Sequence, residues 1–318
     1  MDEREVMVTI RTITYNHEPF IRQCLDSFLM QKTNFRFIIV IHDDASTDRT
    51  ADIIREYQQK YPEVIKPILQ TENQYSKGYN LICELLDNTI TSKYQALCEG
   101  DDYWTDPMKL QKQYDFMEAH PEYSACFHQA IIHYEDGSQP DQLYSDIEDR
   151  DYTGIELFNQ NHRPPTASLF MRTSVCKSQI YQKILSASPS FFDIPTILSC
   201  AHEGKIRGMS DIMSVYRKQQ GGMTYSFRSA TKGMLKIADD THDFYKIFGK
   251  EYKKDCIDIY IVDYVNYFLA NLHYGKYKIW SILKVLLRYP FSTIRIIRER
   301  WIAHHYFKME QQRNNKVR

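Results

Sequence analysis

The sequence predicts an α/β fold with a mostly parallel central sheet, helices on both faces and a C-terminal helical extension. Three observations carry this. Strand-like and helix-like segments alternate four times over the first hundred residues, the second strand is a continuous apolar run, and every strand ends in a polar cluster. Strands joined in this way run parallel through right-handed crossovers, which bring their carboxyl ends to one rim.

Val6 to Thr14 is rich in β-branched residues and reads as the first strand, ending at Tyr15-Asn16-His17-Glu18-Pro19. Phe20, Ile21, Cys24, Leu25, Phe28 and Leu29 then form one stripe of a helix. Phe37 to Ile41 is uniformly apolar, as a strand covered on both faces should be, and stops at His42-Asp43-Asp44-Ala45-Ser46-Thr47-Asp48. Ser46 or Thr47 is expected to cap the next helix, striped by Ala51, Ile53, Ile54 and Tyr57 and ended by Pro62. Val64 to Leu69 is a third strand, and a helix follows from about Lys77 to Asp87. Tyr94 to Cys98 is the fourth strand, and Glu99-Gly100-Asp101-Asp102-Tyr103-Trp104 leads from it to a helix over Pro107 to Glu118.

Further on, Ser124 to Tyr134, Thr166 to Arg172 and Lys205 to Tyr216 read as strands, and a helix starts near Ile194 and reaches His202. The acidic, turn-rich stretch from Glu135 to Arg150 is either a surface excursion or a loop over a site. From about Arg228 the pattern is helical, and Ile257 to Leu272 is apolar enough to pack on the preceding body. The organisation expected is therefore 1–225 as one domain, with halves 1–120 and 121–225, and 226–318 as a helical region.

Charge is unevenly distributed. Residues 271–318 hold eleven Lys and Arg against Glu299 and Glu310, whereas the chain as a whole carries −1, so residues 1–270 are acidic by −10. An acidic body without an extended positive groove argues against a nucleic-acid partner. Seven scattered cysteines without a Cys-x-x-Cys pair indicate reduced, structural thiols rather than disulfides or a zinc ribbon. The charged start leads straight into a strand and does not read as a signal peptide, so a cytoplasmic protein is expected. The run Ile279 to Leu287 is interrupted by Lys284, Arg288, Pro290 and Arg295, and it falls short of the ~20 apolar residues a spanning helix needs. Two readings of 276–318 stand: an amphipathic element on an anionic membrane surface, with Trp280, Phe291, Trp301 and Phe307 among its basic residues, or a helical face packed on protein.

Asp101 and Asp102 are adjacent carboxylates at the end of a buried strand, which calls for a compensating cation such as a divalent metal. Together with Val8-Thr9-Ile10, Tyr15-Asn16, Gln31, Asp43 to Thr50, Glu72-Asn73-Gln74 and Glu99 to Trp104, this stretch closely resembles the family 2 glycosyltransferases of bacterial cell-surface polysaccharide synthesis. The likeness is looser in Pro165 to Phe170 and in Tyr216-Arg217 with Gly221-Gly222, and fades past residue 225.

The resemblance implies the Rossmann-like glycosyltransferase A fold, a nucleotide-diphospho-sugar donor such as a UDP-sugar, a glycan or lipid-linked acceptor, Mn²⁺ or Mg²⁺, and inversion at the anomeric carbon. Carried over by position, Tyr15 lies against the base, Asp44 accepts a hydrogen bond from it, Asn73 and Asp101 contact the donor, and Asp102 binds the metal. Asp193 takes the catalytic base's place, for which partial enclosure is expected because an ordinary carboxylate is a weak base. From spacing alone Asp193 reads rather as the cap of its helix, with Pro195 behind it, and it is the resemblance that puts the base role ahead. Trp104 reads as core; Lys77 and Arg217 are phosphate-binding candidates with bland structural alternatives. Where relatives follow Tyr-Arg with a metal-binding histidine, this chain has Lys218-Gln219-Gln220, so a more water-filled, Mg²⁺-like shell is expected.

Two other functions compete. A non-catalytic nucleotide-sugar-binding module would lack the base or metal carboxylates, and both are present. A sugar-phosphate nucleotidyltransferase would carry a glycine-rich loop after the first strand, and Ile10 to Pro19 has no glycine.

Overall fold

The structure, a computed structural model, describes residues 5–158, 163–187, 189–219, 222, 232–273 and 279–299. Gln220, Gly221, Lys276, Lys278 and the basic tail beyond residue 299 lie outside the described residues. The chain divides into two compact units, Met1–Gly222 and Met223–Arg318.

In the first unit, β1 (Val6–Thr14) lies parallel to both β2 (Arg36–Asp43) and β4 (Tyr94–Leu97), and β3 (Ile65–Leu69) extends the sheet beyond β2. Helices α1 (Ile21–Leu29), α2 (Thr50–Lys60) and α3 (Tyr79–Thr89) make the crossovers. β2 shows why its sequence is uniformly apolar. Ile39 and Ile41 pack with α1 and α2 on one face, and Val40 packs with Ile82 and Leu86 of α3 on the other.

Beyond β4 the sheet continues through β9 (Phe170–Arg172), β6 (Tyr123–Tyr134), β10 (Lys205–Lys218) and β5 (Tyr103–Trp104). The short β9 runs antiparallel to both β4 and β6, so β6 and its parallel partner β10 point the same way as β1. The carboxyl ends of β1, β2, β3, β4, β6 and β10 therefore share one rim. β5 closes the far edge antiparallel to β10.

Two expectations need correction. The strand expected over Thr166 to Arg172 begins as a single 3₁₀ turn, Thr166–Ser168, and only Phe170–Arg172 is extended. Pro165 lacks a ladder donor, Ser168 Oγ turns back to its carbonyl, and the Ala167 carbonyl is taken by the Trp104 indole at 2.8 Å. Nor do Ser46 and Thr47 cap α2. Arg49 holds the cap position without a side-chain capping bond, and Asp48 before it accepts from the Thr50 amide at 2.9 Å and its hydroxyl at 2.6 Å.

Trp104 is core, 4.6 Å from the Phe28 ring. Behind it α4 (Lys109–Ala119) starts with a fully buried Lys109 whose Nζ sits 4.0 Å from the Trp104 ring centroid and donates to Gln113 Oε1 at 2.7 Å. Gln31 ties α1 to this layer: its amide donates to the Asp106 carbonyl and its oxygen accepts from the Leu110 amide. All seven cysteines are buried and free.

The second unit holds the helices Lys232–Asp243, Lys253–His273 and Ile279–Arg288, and residues 290–299 are also helical. Its core is Leu235, Ala238, Tyr260, Tyr264, Val285 and Ile296. The apolar stretch Ile257 to Leu272, expected to pack on the preceding body, thus places its buried residues in the core of its own unit. No helix among the described residues is long and apolar enough to cross a membrane.

Burial pulls the Lys109 ammonium down to about 7, whereas an unfolded lysine titrates near ~10.4. Between these values the unfolded chain binds more protons, so this residue makes stability rise with pH; below 7 both states hold the proton and the penalty is complete. Urea titrations of wild type and Lys109→Met from pH 7 to 10 should show the wild type gaining on the variant by up to about 1.4 kcal/mol per pH unit. A constant difference across that range would contradict a strained buried ammonium.

Candidate functional site

The rim is built from loops that hold one another. After β1, Asn16 adopts a positive φ of 55°, and after β2, Ala45 adopts 61°. Such backbone is rare outside glycine and survives where neighbours fix it. Here the Asn16 side chain accepts from the Thr47 amide at 2.7 Å, the Asn16 amide donates to Ser46 Oγ at 2.8 Å, and the His17 amide donates to Thr50 Oγ1 at 2.9 Å. Glu18 and Asp48 add reciprocal bonds to the Arg49 and Glu18 amides. Tyr15 stands exposed beside this seam.

Asp44 is buried, and both its oxygens are engaged: Oδ1 accepts from the Gln74 amide at 2.6 Å and Oδ2 from the Tyr75 amide at 3.0 Å. Asn73 stays within the same loop, donating to the Asp44 carbonyl at 3.3 Å and accepting from the Ser76 amide at 2.8 Å. The two residues expected to contact the donor thus first shape the loop after β3. Asp43, one residue earlier, is pinned by Ser46, and burial raises its carboxyl above the usual range.

The turn after β4 lies at the centre. Gly100 crosses β1 so closely that a Cβ there would fall 2.7 Å from Thr14 Cβ, which explains a glycine at this position. Around it the carboxyls of Glu99, Asp101 and Asp102 crowd together. Burial, then the charge of Asp101, pushes the Glu99 carboxyl up to about 8. Asp102 is buried and raised well above the carboxylate range by the same desolvation and by Asp101 and Glu99.

Opposing groups come from β10 and β1. The Arg217 amide donates to Asp102 Oδ1 at 2.8 Å, and its guanidinium donates to the Asp101 carbonyl at 2.6 Å and to Gln23 at 2.7 Å, with Glu135 also against it. The Gln219 amide donates to Asp101 Oδ2 at 3.3 Å, and His17 Nε2 lies 3.7 Å from the same oxygen. Arg217 is consequently a buried brace. Lys77, the other cationic candidate, pairs at the surface with Glu72 at 2.6 Å.

Asp193 is the first residue of α7 (Asp193–Glu203), with Phe192 in the cap position and no side-chain capping bond, which removes the cap reading. The enclosure expected for it is absent: Asp193, in the first turn of its helix, is exposed. It still lies within the electrostatic reach of Glu99 and of Tyr144.

Tyr144 belongs to the segment from Glu135 to Arg150. Gln142–Leu143 pairs back on β6, the Tyr144 amide donates to the Ala130 carbonyl at 2.9 Å, and burial pushes its hydroxyl up to about 12 in the field of Asp193, Asp102 and Glu99. Glu135, at the start of the segment, and Tyr144 thus lie beside the acidic turn. Sequence reasoning passed over Glu99, His17 and Tyr144; the motif residues beside them were the only available signal for the first two.

The carboxylates suit a hard cation. Among the described residues no three His, Cys, Asp or Glu side chains converge on one point, so the protein offers the pair Asp101 and Asp102, the number Mg²⁺-type sites use when substrate phosphates and water complete the shell.

Residues 9–177 match the family described as "Glycosyl transferase family 2". An uncharacterised protein of Mycobacterium tuberculosis is 36% identical over 228 residues, 69% of this chain but 61% of that protein, so the chain spans under two thirds of this relative. Among solved structures, S. aureus TarS in complex with UDP-GlcNAc superposes with a TM-score of 0.56 at 18% identity, covering 92% of this chain and 79% of TarS. The mannosyltransferase PcManGT of Pyrobaculum calidifontis, in complex with GDP-Man and Mn²⁺, gives 0.52 at 15% identity over 92% and 83%. At these identities the two structures show the shared fold.

Asp44→Ala removes both acceptors of the loop amides. Hydrogen exchange of Gln74 and Tyr75 should accelerate by roughly tenfold or more while the β1 and β2 amides keep their protection. Unchanged protection at Gln74 and Tyr75 would show that Asp44 does not hold the loop.

Proposed function

The chain belongs to glycosyl transferase family 2, and on that premise we propose that it is an inverting glycosyltransferase that moves a sugar from a nucleotide-diphospho-sugar, a UDP-sugar in our reading, to a hydroxyl of a glycan or lipid-linked acceptor in cell-surface polysaccharide synthesis. The observation that carries this is the convergence, on one rim, of the β1, β2 and β3 loops with Asp101 and the buried Asp102, braced from β10. TarS with UDP-GlcNAc and PcManGT with GDP-Man support a nucleotide-sugar donor on such a fold.

Tyr15, exposed at the seam of the first two loops, offers its ring to the base, and the Asp44-shaped loop with Asn73 borders the nucleoside. Asp102 would hold Mn²⁺ or Mg²⁺ with Asp101 beside it, and the ion supplies charge neutralisation for the departing nucleoside diphosphate. Asp193 approaches from the acceptor side, residues 121–225. As the acceptor oxygen bonds to the anomeric carbon, the bond to the diphosphate oxygen breaks with its electron pair on the diphosphate, and the hydroxyl proton passes to Asp193. One displacement inverts the anomeric centre.

An exposed base is expected to gain strength when donor and acceptor cover it and exclude water. Glu99, Tyr79 and Tyr144, which feel its charge, would then be part of its environment.

Calorimetric titration of UDP with and without Mn²⁺ should show metal-dependent binding that Asp102→Ala abolishes; metal-independent binding of equal strength in both proteins would refute the metal assignment. Asp193→Asn should lower turnover by roughly 100- to 10,000-fold while leaving UDP affinity within about threefold. Full turnover in that variant would refute the base assignment.

A further inference from the structure

The last two described helices turn their larger apolar side chains outward. Helix Ile279–Arg288 buries Ser281 and Val285, and residues 290–299 bury Thr293 and Ile296. Outside stand Trp280 at 50% exposure, Leu283 at 47%, Leu287 at 84%, Phe291 at 88% and Ile294 at 60%. A helix that only packs on protein presents the reverse arrangement, small or polar groups outward and large apolar ones inward. Five large apolar side chains on two consecutive helices form a patch that is uncommon on a free surface.

The charge of the same two helices selects the occupant. Residues 279–299 hold Lys284, Arg288, Arg295 and Arg298 against Glu299 alone. Arg288 and Arg298 are exposed, and Arg288 lies 5.4 Å from the Tyr289 ring. Arg295 forms a two-pronged pair with Asp258 at 2.6 and 2.7 Å, and Lys284 bonds Asp239 at 3.0 Å, so the basic side chains are fixed next to the apolar face. Trp280 is held edge-on by Tyr264 at 6.4 Å and close to Tyr267 at 6.1 Å while half its surface stays free. Amphipathic indole rings so placed suit a lipid headgroup boundary. A second copy fits less well, because a two-fold interface would set the exposed Arg288 and Arg298 of one copy against those of the other.

We infer that the face formed by Trp280, Leu283, Leu287, Phe291 and Ile294 docks on an anionic lipid surface, with Arg288 and Arg298 meeting the headgroups. The apolar side chains would enter the headgroup boundary while the helices lie along the surface rather than cross it. This goes beyond the transferase reading and does not rest on it, since the face belongs to the helical unit alone.

The test uses the full chain and vesicles, with no nucleotide sugar present. Wild type should co-sediment with vesicles of equal parts phosphatidylcholine and phosphatidylglycerol, bind phosphatidylcholine alone far more weakly, and be released by salt. Leu287→Asp with Phe291→Asp, at positions too exposed to serve the core, should lower the partition coefficient by roughly tenfold or more with an unchanged melting curve. Arg288→Gln with Arg298→Gln should weaken binding severalfold on anionic vesicles only. Wild type that ignores anionic vesicles, or a double aspartate variant that binds like wild type, would overturn the inference. So would concentration-dependent dimerisation abolished by Phe291→Asp in a protein that leaves vesicles alone, which would give the face to a second copy.

Discussion

The hydrogen bond from the Arg217 backbone amide to Asp102 joins two ends of the chain 115 residues apart, and the site depends on it. β4 and β10 are not neighbours in the sheet; β9 and β6 lie between them. Their carboxyl ends still meet because β6 and β10 run parallel to β4, and the Arg217 guanidinium spans the gap to Asp101 and Gln23. A backbone donor is well chosen for this task. It satisfies one oxygen of a buried carboxylate from a position the strand itself fixes.

That brace does not neutralise the turn. Of the three carboxyls within four residues, those of Glu99 and the buried Asp102 are held above their ordinary range by desolvation and by the neighbouring acidic charges. Arg217 offsets part of this, yet Glu135 also claims its guanidinium, so one cation serves several acids. A protein that only needed a stable turn would gain by substituting neutral residues here. The retained charge density is what a site for a cation and a diphosphate requires.

The sheet was largely legible from the sequence because its signals are local. β-branched runs, the uniformly apolar β2 and the polar clusters after each strand are written in consecutive residues, and Trp104 read correctly as core. What escaped depends on distant partners. The Thr166–Ser168 turn is set by Pro165 next door but also by an indole 63 residues away, and β9 acquires its antiparallel place only once β4 and β6 are there to receive it. Asp44 looked like a ligand-facing carboxylate, yet two amides 30 and 31 residues downstream occupy it. Asp193 carried two local readings, cap or base, and capping failed because Phe192 holds the cap position. His17 and Glu99 stood in polar clusters that the sequence already put on one rim, but no local feature gave either a role of its own; Tyr144 was invisible because nothing in its own neighbourhood announces that the loop after β6 comes back beside them.

On the proposed reading, Gln219 bears on how such a site would hold a metal, because it stands where the resemblance implies a histidine. A histidine at this position would present a ring nitrogen to the cation; the glutamine instead donates its amide hydrogen to Asp101. A donor to a carboxylate orients it without competing for the ion, and His17 Nε2 lies 3.7 Å from the same oxygen. On the proposed reading the protein then contributes two aligned carboxylates, and diphosphate and water make up the rest of the shell. An ion held partly by the donor's own phosphates binds weakly before the donor arrives and tightly with it. Metal affinity and nucleotide affinity become one linked quantity, each raising the other by the same factor.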